Sequence, residues 1–590
     1  MKIEITNFGG LMPKTGRHLL PDGGAVIARD CRIGSGMLKP LGSMRKDHRL
    51  AWPAGSMFRW KGEHWFNYED AARSFVPGPV FGEGQRLFMS AEAGGLTVWT
   101  ETTGEVTLGI PAPIATPTLE VTGGADTNVD IASRVYVYTC VNSLGDESAP
   151  SPASDVKDVQ GQTVVVGNMT TPPHAGYAPI VAKRIYRLAV GDSSADYMFV
   201  AEIDASINSY TDKLTDGELG EAMPTLGWRV PDADLTGLVA VPGNILAAFH
   251  GQEVRFSAPN YPYAWPDSYA FSVEYDIVGL ACSDTVLFIL TTGPVYYMSV
   301  DDLNSAAPVA MDGNCPCLSR RGIMEVPVGV IFPSRDGLYV VGSGYAKPMR
   351  LTASYYDLPD WLNLNPSSMF GAWCGGYLYV FYTARDGVSG GLIFDLGIDE
   401  GDAGIRSLTT TEVPVTALTV AAEGERLFVA SGDFCWEWEG LIGVSRTAEW
   451  RSRSYLLANR VNFGAAIVEQ SIDDSDEADV ESLLVLAYED YIDSSGGMVN
   501  GALGTLPQSE VGLVLDGASF DQFAQAASAY TDVKLTVYAD GKAVYSRKVH
   551  DREPFVLPAG FTARTWFVRV TTNRDLRRVA IAESMEELYA

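Results

Sequence analysis

Short strand patterns punctuated by glycine turns and recurring at intervals of roughly 40 to 50 residues predict an all-β chain. The fold class they specify is a β-propeller with an inserted fibronectin-III/Ig-like sandwich and a C-terminal β unit carrying a partly helical acidic insertion. Composition points the same way. The 590 residues include 60 glycines and 32 prolines, while 46% are apolar and 11% aromatic, enough to fill several cores between many turns. One core cannot serve a chain of this length, and about three to four folding units are expected.

Residues 1–55 are dominated by turn formers: Gly9, Gly10, Pro13, Pro21, Gly23, Gly24, Gly34, Gly36 and Pro40. They read as an extended arm or a tightly packed lead-in. Residues 56–110 carry the aromatic hairpin patterns FRWKGEHWFNY and RLFMSAEAGGLTVW, expected to supply a propeller blade if the sandwich is inserted between blades.

The sandwich is expected over residues 111–226. The segment opens on the proline-rich PAPIATPTLEV. Arg134, Tyr136, Tyr138 and Cys140 then alternate with Val135, Val137 and Thr139, the period of a strand with two distinct faces. The strand stops at the turn Asn142-Ser143-Leu144-Gly145, after which Pro150 and Pro152 withhold backbone donors and hold the chain extended along a sheet edge. Further strands are expected at 163–166, 184–187 and 197–203, with a corner at INSYTD, residues 207–212.

Residues 227–445 repeat. Apolar strand cores start at Ile245, Val286, Val330, Leu378 and Leu427, each followed by a glycine-bearing turn and a second strand, in order VRFSAP, VYYMSV, GLYVVG, GLIFDL and CWEWEG. Paired short strands at this period are expected of blades that stack radially and leave few sheet edges open.

Residues 446–590 form the C-terminal β unit, opening near Trp450, resuming at Val533–Gly541 and closing at 564–570 and 579–581. Its halves flank an acidic insertion at 470–530. Between Arg460 and Lys534 there is no Lys or Arg, while Asp473, Asp474, Asp476, Glu477, Asp479, Glu481, Glu489, Asp490 and Asp493 crowd one short span. Residues 481–492 can form a helix whose early acid suits the helix dipole. These acids are the candidate channel-lining residues; Asp473, Asp474, Asp476, Glu477 and Asp479 could instead bind calcium, although the central Gly and terminal Glu of an EF-hand loop are missing.

The net charge of −30 excludes an ordinary nucleic-acid-binding surface, which needs clustered cations. It admits an acidic wall along which a duplex slides without sticking, although on charge alone plain solubility is the simpler explanation. The opening MKIEITNFGGLMPKTG has no apolar run of signal-peptide length, and no membrane-spanning segment is expected. The seven cysteines, with Cys315 and Cys317 the one close pair, read as free thiols, because no second CxxC or His pair completes a ligand set.

The chemistry is thin. None of the six histidines adjoins a motif that needs one, and neither a nucleophile elbow, a phosphate-binding loop nor HExxH occurs. No catalytic residue, cofactor or metal is expected. Glycoside hydrolysis is the enzymatic alternative, since it needs only two carboxylates. Ser334–Tyr339 distantly resembles the Asp-box turn of sialidases, but Asp336 and Gly337 are expected to make a hairpin turn. Tyr261, Tyr263 and Trp265 could stack on sugars or pack between blades.

Taken in order, these segments resemble the tail nozzle (tail tube) proteins of short-tailed bacteriophages. The lead-in FGGLMPKTGRHLLPDGGAVIARDCRIGSGMLKPL is similar to the opening of that family, with Pro13, Leu20, Pro21, Ala28 and Pro40 at matching places. VNSLGDESAPSPAS with RIYRLAV and YMFVAEI resembles its inserted sandwich, and residues 317–341 resemble one of its blades. YADGKAVYSRKVHDREPFVLPAGFTARTWFVRV and VAIAESMEEL resemble its C-terminal β unit. The resemblance implies a homohexameric ring around a DNA channel, without catalysis. It also implies contacts to a portal-adaptor ring above and to tail fibres or a needle below, in a virion tail assembled in the host cytoplasm. The alternatives are a receptor-binding or glycan-cleaving propeller, and a scaffold that binds partners only through the sandwich.

Overall fold

The structure is a computed structural model that describes residues 1–589 apart from 63, 79–85, 127, 191–194, 343, 398–403, 422–424 and 471–532. The chain is all-β and propeller-like. Its backbone separates into two compact units: residues 1–71, 321–341 and 349–590 form one, and residues 72–320 with 342–348 form the other.

In the second unit three four-stranded antiparallel sheets follow one another. They comprise Ser74–Pro77 to Gly104–Thr107, Thr236–Val241 to Ala270–Ser272, and Ile277–Ser283 to Val309–Ala310, each in simple meander order. Neighbouring sheets share cores. Phe88 and Val98 pack with Leu238, Leu246 and Trp265, and Ala247, Val254 and Phe256 pack with Leu280, Leu287 and Ile289. Side-by-side stacking of four-stranded meanders through apolar faces is how propeller blades bury their sheets.

The sandwich lies between the first and second of these sheets in sequence. One of its sheets joins Thr118–Thr122, Thr163–Gly167 and Tyr210–Asp212, and the other joins Tyr136–Asn142, Ile180–Val190 and Ala195–Asp204. Tyr136, Tyr138, Cys140, Val164, Val166 and Ile185 fill the space between them. Every residue of Tyr136–Asn142 is buried, so the alternation in its sequence separates two buried faces instead of an inner and an outer one. The prolines serve as the sequence predicts: Ser148, Ser151 and Ser154 donate their backbone amides to Cys140, Tyr138 and Tyr136, while Pro150 and Pro152 occupy positions that need no donor.

In the first unit, Met324–Val326 to Met349–Arg350 form a four-stranded sheet, and Phe370–Cys374 to Ile405–Thr411 follow in meander order at one end of a ten-stranded sheet. Ala417–Ala421, Arg426–Ser431 and Phe434–Ser445 are completed by Gly42–Arg49, nearly 400 residues away in the chain. Glu437 accepts from Arg45 on that closing strand and from Arg426 on the other side. The hairpin Ser56–Trp60 with His64–Tyr68 packs Met57 onto Ala417 and Phe428. The aromatic segment 56–110 therefore divides between this hairpin and the first sheet of the other unit.

The lead-in, which shows few strand patterns, supplies strands all the same. Lys2–Ile5 pairs with Leu576–Ala582, and Ala25–Arg29 is inserted between Ile405–Thr411 and Ala448–Ser452. With Ala563–Thr572, Val533–Ala539 and Lys542–Val549 they complete the C-terminal β unit, whose two sheets enclose Phe8, Trp450, Phe463, Leu535, Trp566 and Val579. No helix of the described residues is long and apolar enough to cross a membrane.

Candidate functional site

All nine candidate channel-lining acids, Asp473, Asp474, Asp476, Glu477, Asp479, Glu481, Glu489, Asp490 and Asp493, lie outside the described residues, as does the expected helix at 481–492. Asp336 and Gly337 sit in the connection between Gly329–Pro333 and Leu338–Val341, where Ser334 donates its amide to Gly337 at 2.8 Å and Tyr339 donates its hydroxyl to Asp336 at 3.1 Å. Arg350 pairs with the same carboxylate at 3.2 Å. The seven cysteines are free. Asp47, His48 and Cys435 bring three donor atoms within 4.8 Å of one another, but burial holds the Cys435 thiol protonated and His48 is bonded to Asp47 at 2.8 Å.

One recess belongs to the second unit: a cleft of about 550 Å³ lined by Trp228, Tyr261, Tyr263, Tyr186, Phe199 and Arg184, with Glu147, Glu202 and Glu221. Two loops and the sandwich build it. Residues 258–264 form consecutive turns, with Tyr261 donating its amide to Ala258 and Ala264 donating to Tyr261. These turns set Tyr261 against Trp228 at a ring separation of 4.6 Å and against Tyr263 at 6.1 Å. Tyr261 remains 38% exposed, Tyr263 is 9% exposed and Trp265 is 1% exposed. Trp265 is thus a packing residue, its indole N–H donating to Pro262 at 3.0 Å, whereas Tyr261 presents a ring to the cleft.

The sandwich side of the cleft is polar and fixed. Glu147, buried, accepts from Thr139 at 2.7 Å, from the Tyr186 hydroxyl at 2.6 Å and from Arg184 at 2.6 Å. Arg184 reaches on to Glu202 at 2.8 Å. Burial, with the bond to Glu147, pushes the Tyr186 hydroxyl up and keeps it a donor. With three donors occupying its oxygens, Glu147 orients Arg184 and Tyr186 and is not free to serve as an acid or base. Such a recess can hold a polar ring compound, stacking one face on Tyr261 or Trp228 and bonding its edge to Arg184, Glu202 or Glu221. Sequence reading singled out Tyr261 and Tyr263 but missed Trp228 and the Glu147 cluster, whose members are scattered from 139 to 228.

A second cleft, about 410 Å³, belongs to the first unit and is lined by Arg17, Ile27, Arg451, Ser454, Tyr538, Thr565, Phe567 and Arg569, with Gly541.

No family model and no curated protein matches the chain. Among solved structures it is similar to U3-55K, at 10% identity and a TM-score of 0.28, covering 68% of this chain and 98% of that one. It is also similar to the RRP9 WD40 repeats, at 9% identity, a TM-score of 0.27 and coverage of 67% and 99%. A third similarity is to the gluconolactonase XC5397 from Xanthomonas campestris, at 11% identity, a TM-score of 0.20 and coverage of 68% and 98%. Likeness at this level carries nothing about activity. The class defined by the strands themselves is an all-β, propeller-like protein with an inserted sandwich.

Proposed function

We propose that the protein is a structural component of a short-tailed bacteriophage tail, the distal tail tube or nozzle. In this reading it forms a homohexameric ring whose acidic bore passes genome DNA and whose rims meet the portal-adaptor ring and the fibres or needle. One observation carries the reading furthest. The lead-in and the closing segment, which resemble the two ends of that family, are woven into a single β unit by the pairings of Lys2–Ile5 with Leu576–Ala582 and Ala25–Arg29 with Ala448–Ser452. A part that bears force while DNA slides through gains from sheets closed by distant strands, which do not peel from one end. The charge of −30 supports the sliding surface. Immunogold labelling of virions tests the placement: label at the distal end of the tail is expected, and label confined to the head or to free fibres would refute it.

The second reading, a receptor-binding or glycan-cleaving propeller, is favoured by the Trp228–Tyr261 cleft, and specifically in its binding form, because the buried Glu147 is committed to its three donors.

A further inference from the structure

The 410 Å³ cleft of the first unit runs against the charge of the protein. In a chain of net charge −30, three arginines and no carboxylate line it. Two of them stand on neighbouring strands in direct register, Arg451 of Ala448–Ser452 opposite Arg569 of Ala563–Thr572. Like charges directly opposite one another in a sheet cost stability. Arg17 arrives from the lead-in, held in place because Ser454 donates its amide to the Arg17 carbonyl at 3.0 Å.

Nearby acids do not cancel this charge. Glu449 pairs with Arg569 at 2.8 Å and with Arg29 at 3.6 Å, and Arg29 has a second partner in Glu412. Asp540 is taken up by Arg460 and by the amides of Arg564 and Thr565. Setting Glu449 against Arg17, Arg451 and Arg569 leaves about two positive charges on the cleft, the complement of a phosphate monoester near neutral pH. Arg451 lies over the Phe567 ring at 4.0 Å, and Phe567 in turn stacks on Tyr538 at 4.4 Å and 13°. That stack fixes the guanidinium plane, and the Arg451 Nε is buried without a hydrogen-bond partner. Burial and the neighbouring Arg17 and Arg569 lower the Arg451 pKa, as a cation lacking its counterion requires.

We infer that this cleft is a phosphate-binding site, in which Arg17, Arg451 and Arg569 grip the phosphoryl oxygens of a phosphate monoester. Planar guanidinium forks match phosphate oxygens two at a time, and a volume of about 410 Å³ leaves room for a sugar or nucleoside beside the phosphate.

Thermal melting and calorimetry of the full chain at fixed ionic strength test this, with inorganic phosphate, glucose 6-phosphate, adenosine monophosphate, glucose and acetate as probes. The phosphates should bind and raise the melting temperature while glucose and acetate do not. Glucose 6-phosphate or adenosine monophosphate binding more tightly than inorganic phosphate would tell which group occupies the rest of the cleft. Arg17→Ala, on an exposed loop, should weaken phosphate binding by roughly tenfold without changing the melting temperature in chloride. Arg451→Met keeps the stem over Phe567 and should abolish the response. A phosphate response equal to that of acetate, or unchanged in Arg17→Ala and Arg451→Met, would overturn the assignment.

Discussion

Arg187 and Asp212 form a buried ion pair inside the sandwich: the Arg187 guanidinium meets Asp212 at 2.7 Å, with the two residues 1% and 4% exposed. The same carboxylate accepts the Tyr136 hydroxyl at 2.6 Å, and Arg187 extends to the Leu214 and Thr215 carbonyls at 2.9 and 3.1 Å. The INSYTD corner is thereby pinned to the central strand Ile180–Val190. Arg187 also reaches the exposed Asp216 at 2.9 Å, so removing Asp212 takes away its buried counterion and leaves only that exposed one. Asp212→Asn should therefore destabilise the sandwich by about 3 to 5 kcal/mol in denaturant titration, and a loss below about 1 kcal/mol would show that the pair is dispensable.

The buried thiols predict an alkaline limit to stability. Burial pushes Cys140 and Cys317 up to about 12 and Cys374 up to about 11. An acid whose folded value is raised keeps its proton in the fold, so its stabilisation is complete below the unfolded thiol value of about 8.5 and is lost as pH rises above it. Denaturation midpoints should fall between pH 8 and 10.5, and these three thiols should resist a thiol reagent at pH 8. A flat profile with rapid labelling would contradict their burial.

The lead-in is a structural part of the first unit. Deleting residues 1–49 removes Ala25–Arg29 from between two strands and uncovers Phe434–Ser445. The truncated chain should be insoluble or melt far below the full chain, since the exposed edges and apolar faces would then pair between molecules. Normal melting of the truncated chain would show that the closing strands are accessory.

The aromatic cleft makes a prediction separable from stability. Tyr261 is 38% exposed, so Tyr261→Ala should leave the melting temperature within a degree or two. If the cleft takes sugars, bacterial surface oligosaccharides should quench tryptophan fluorescence, and Tyr261→Ala should weaken that response roughly tenfold. Equal quenching by both proteins would remove the cleft from any receptor role.

What the sequence revealed follows from how strands are buried. The five apolar cores starting at Ile245, Val286, Val330, Leu378 and Leu427 all lie in the second strand of their sheets, four of which have four strands and the fifth, that of Leu378, ten. Strands covered on both faces are written as continuous apolar runs, and such runs stand out. Gly42–Arg49 was hidden for the opposite reason. Its sequence GSMRKDHR is that of a polar edge strand, and its pairing with Phe434–Ser445 is set by a partner that local pattern cannot indicate. The clefts were illegible on the same grounds: strand register sets Arg451 opposite Arg569 and a lead-in turn brings Arg17 to them, while Trp228 and Glu147 reach their cleft from loops far apart in the chain. Of the three aromatics read as either sugar-stacking or packing, the fold sends Trp265 to the core and leaves Tyr261 at a surface recess, a distinction made by one tight turn.

The central claim, a tail ring around a DNA channel, is tested most directly by electron microscopy of the purified protein at high concentration, alone and co-expressed with the neighbouring portal-adaptor proteins. The account predicts sixfold rings with a lumen wide enough for a duplex. Monomers in both samples would contradict it.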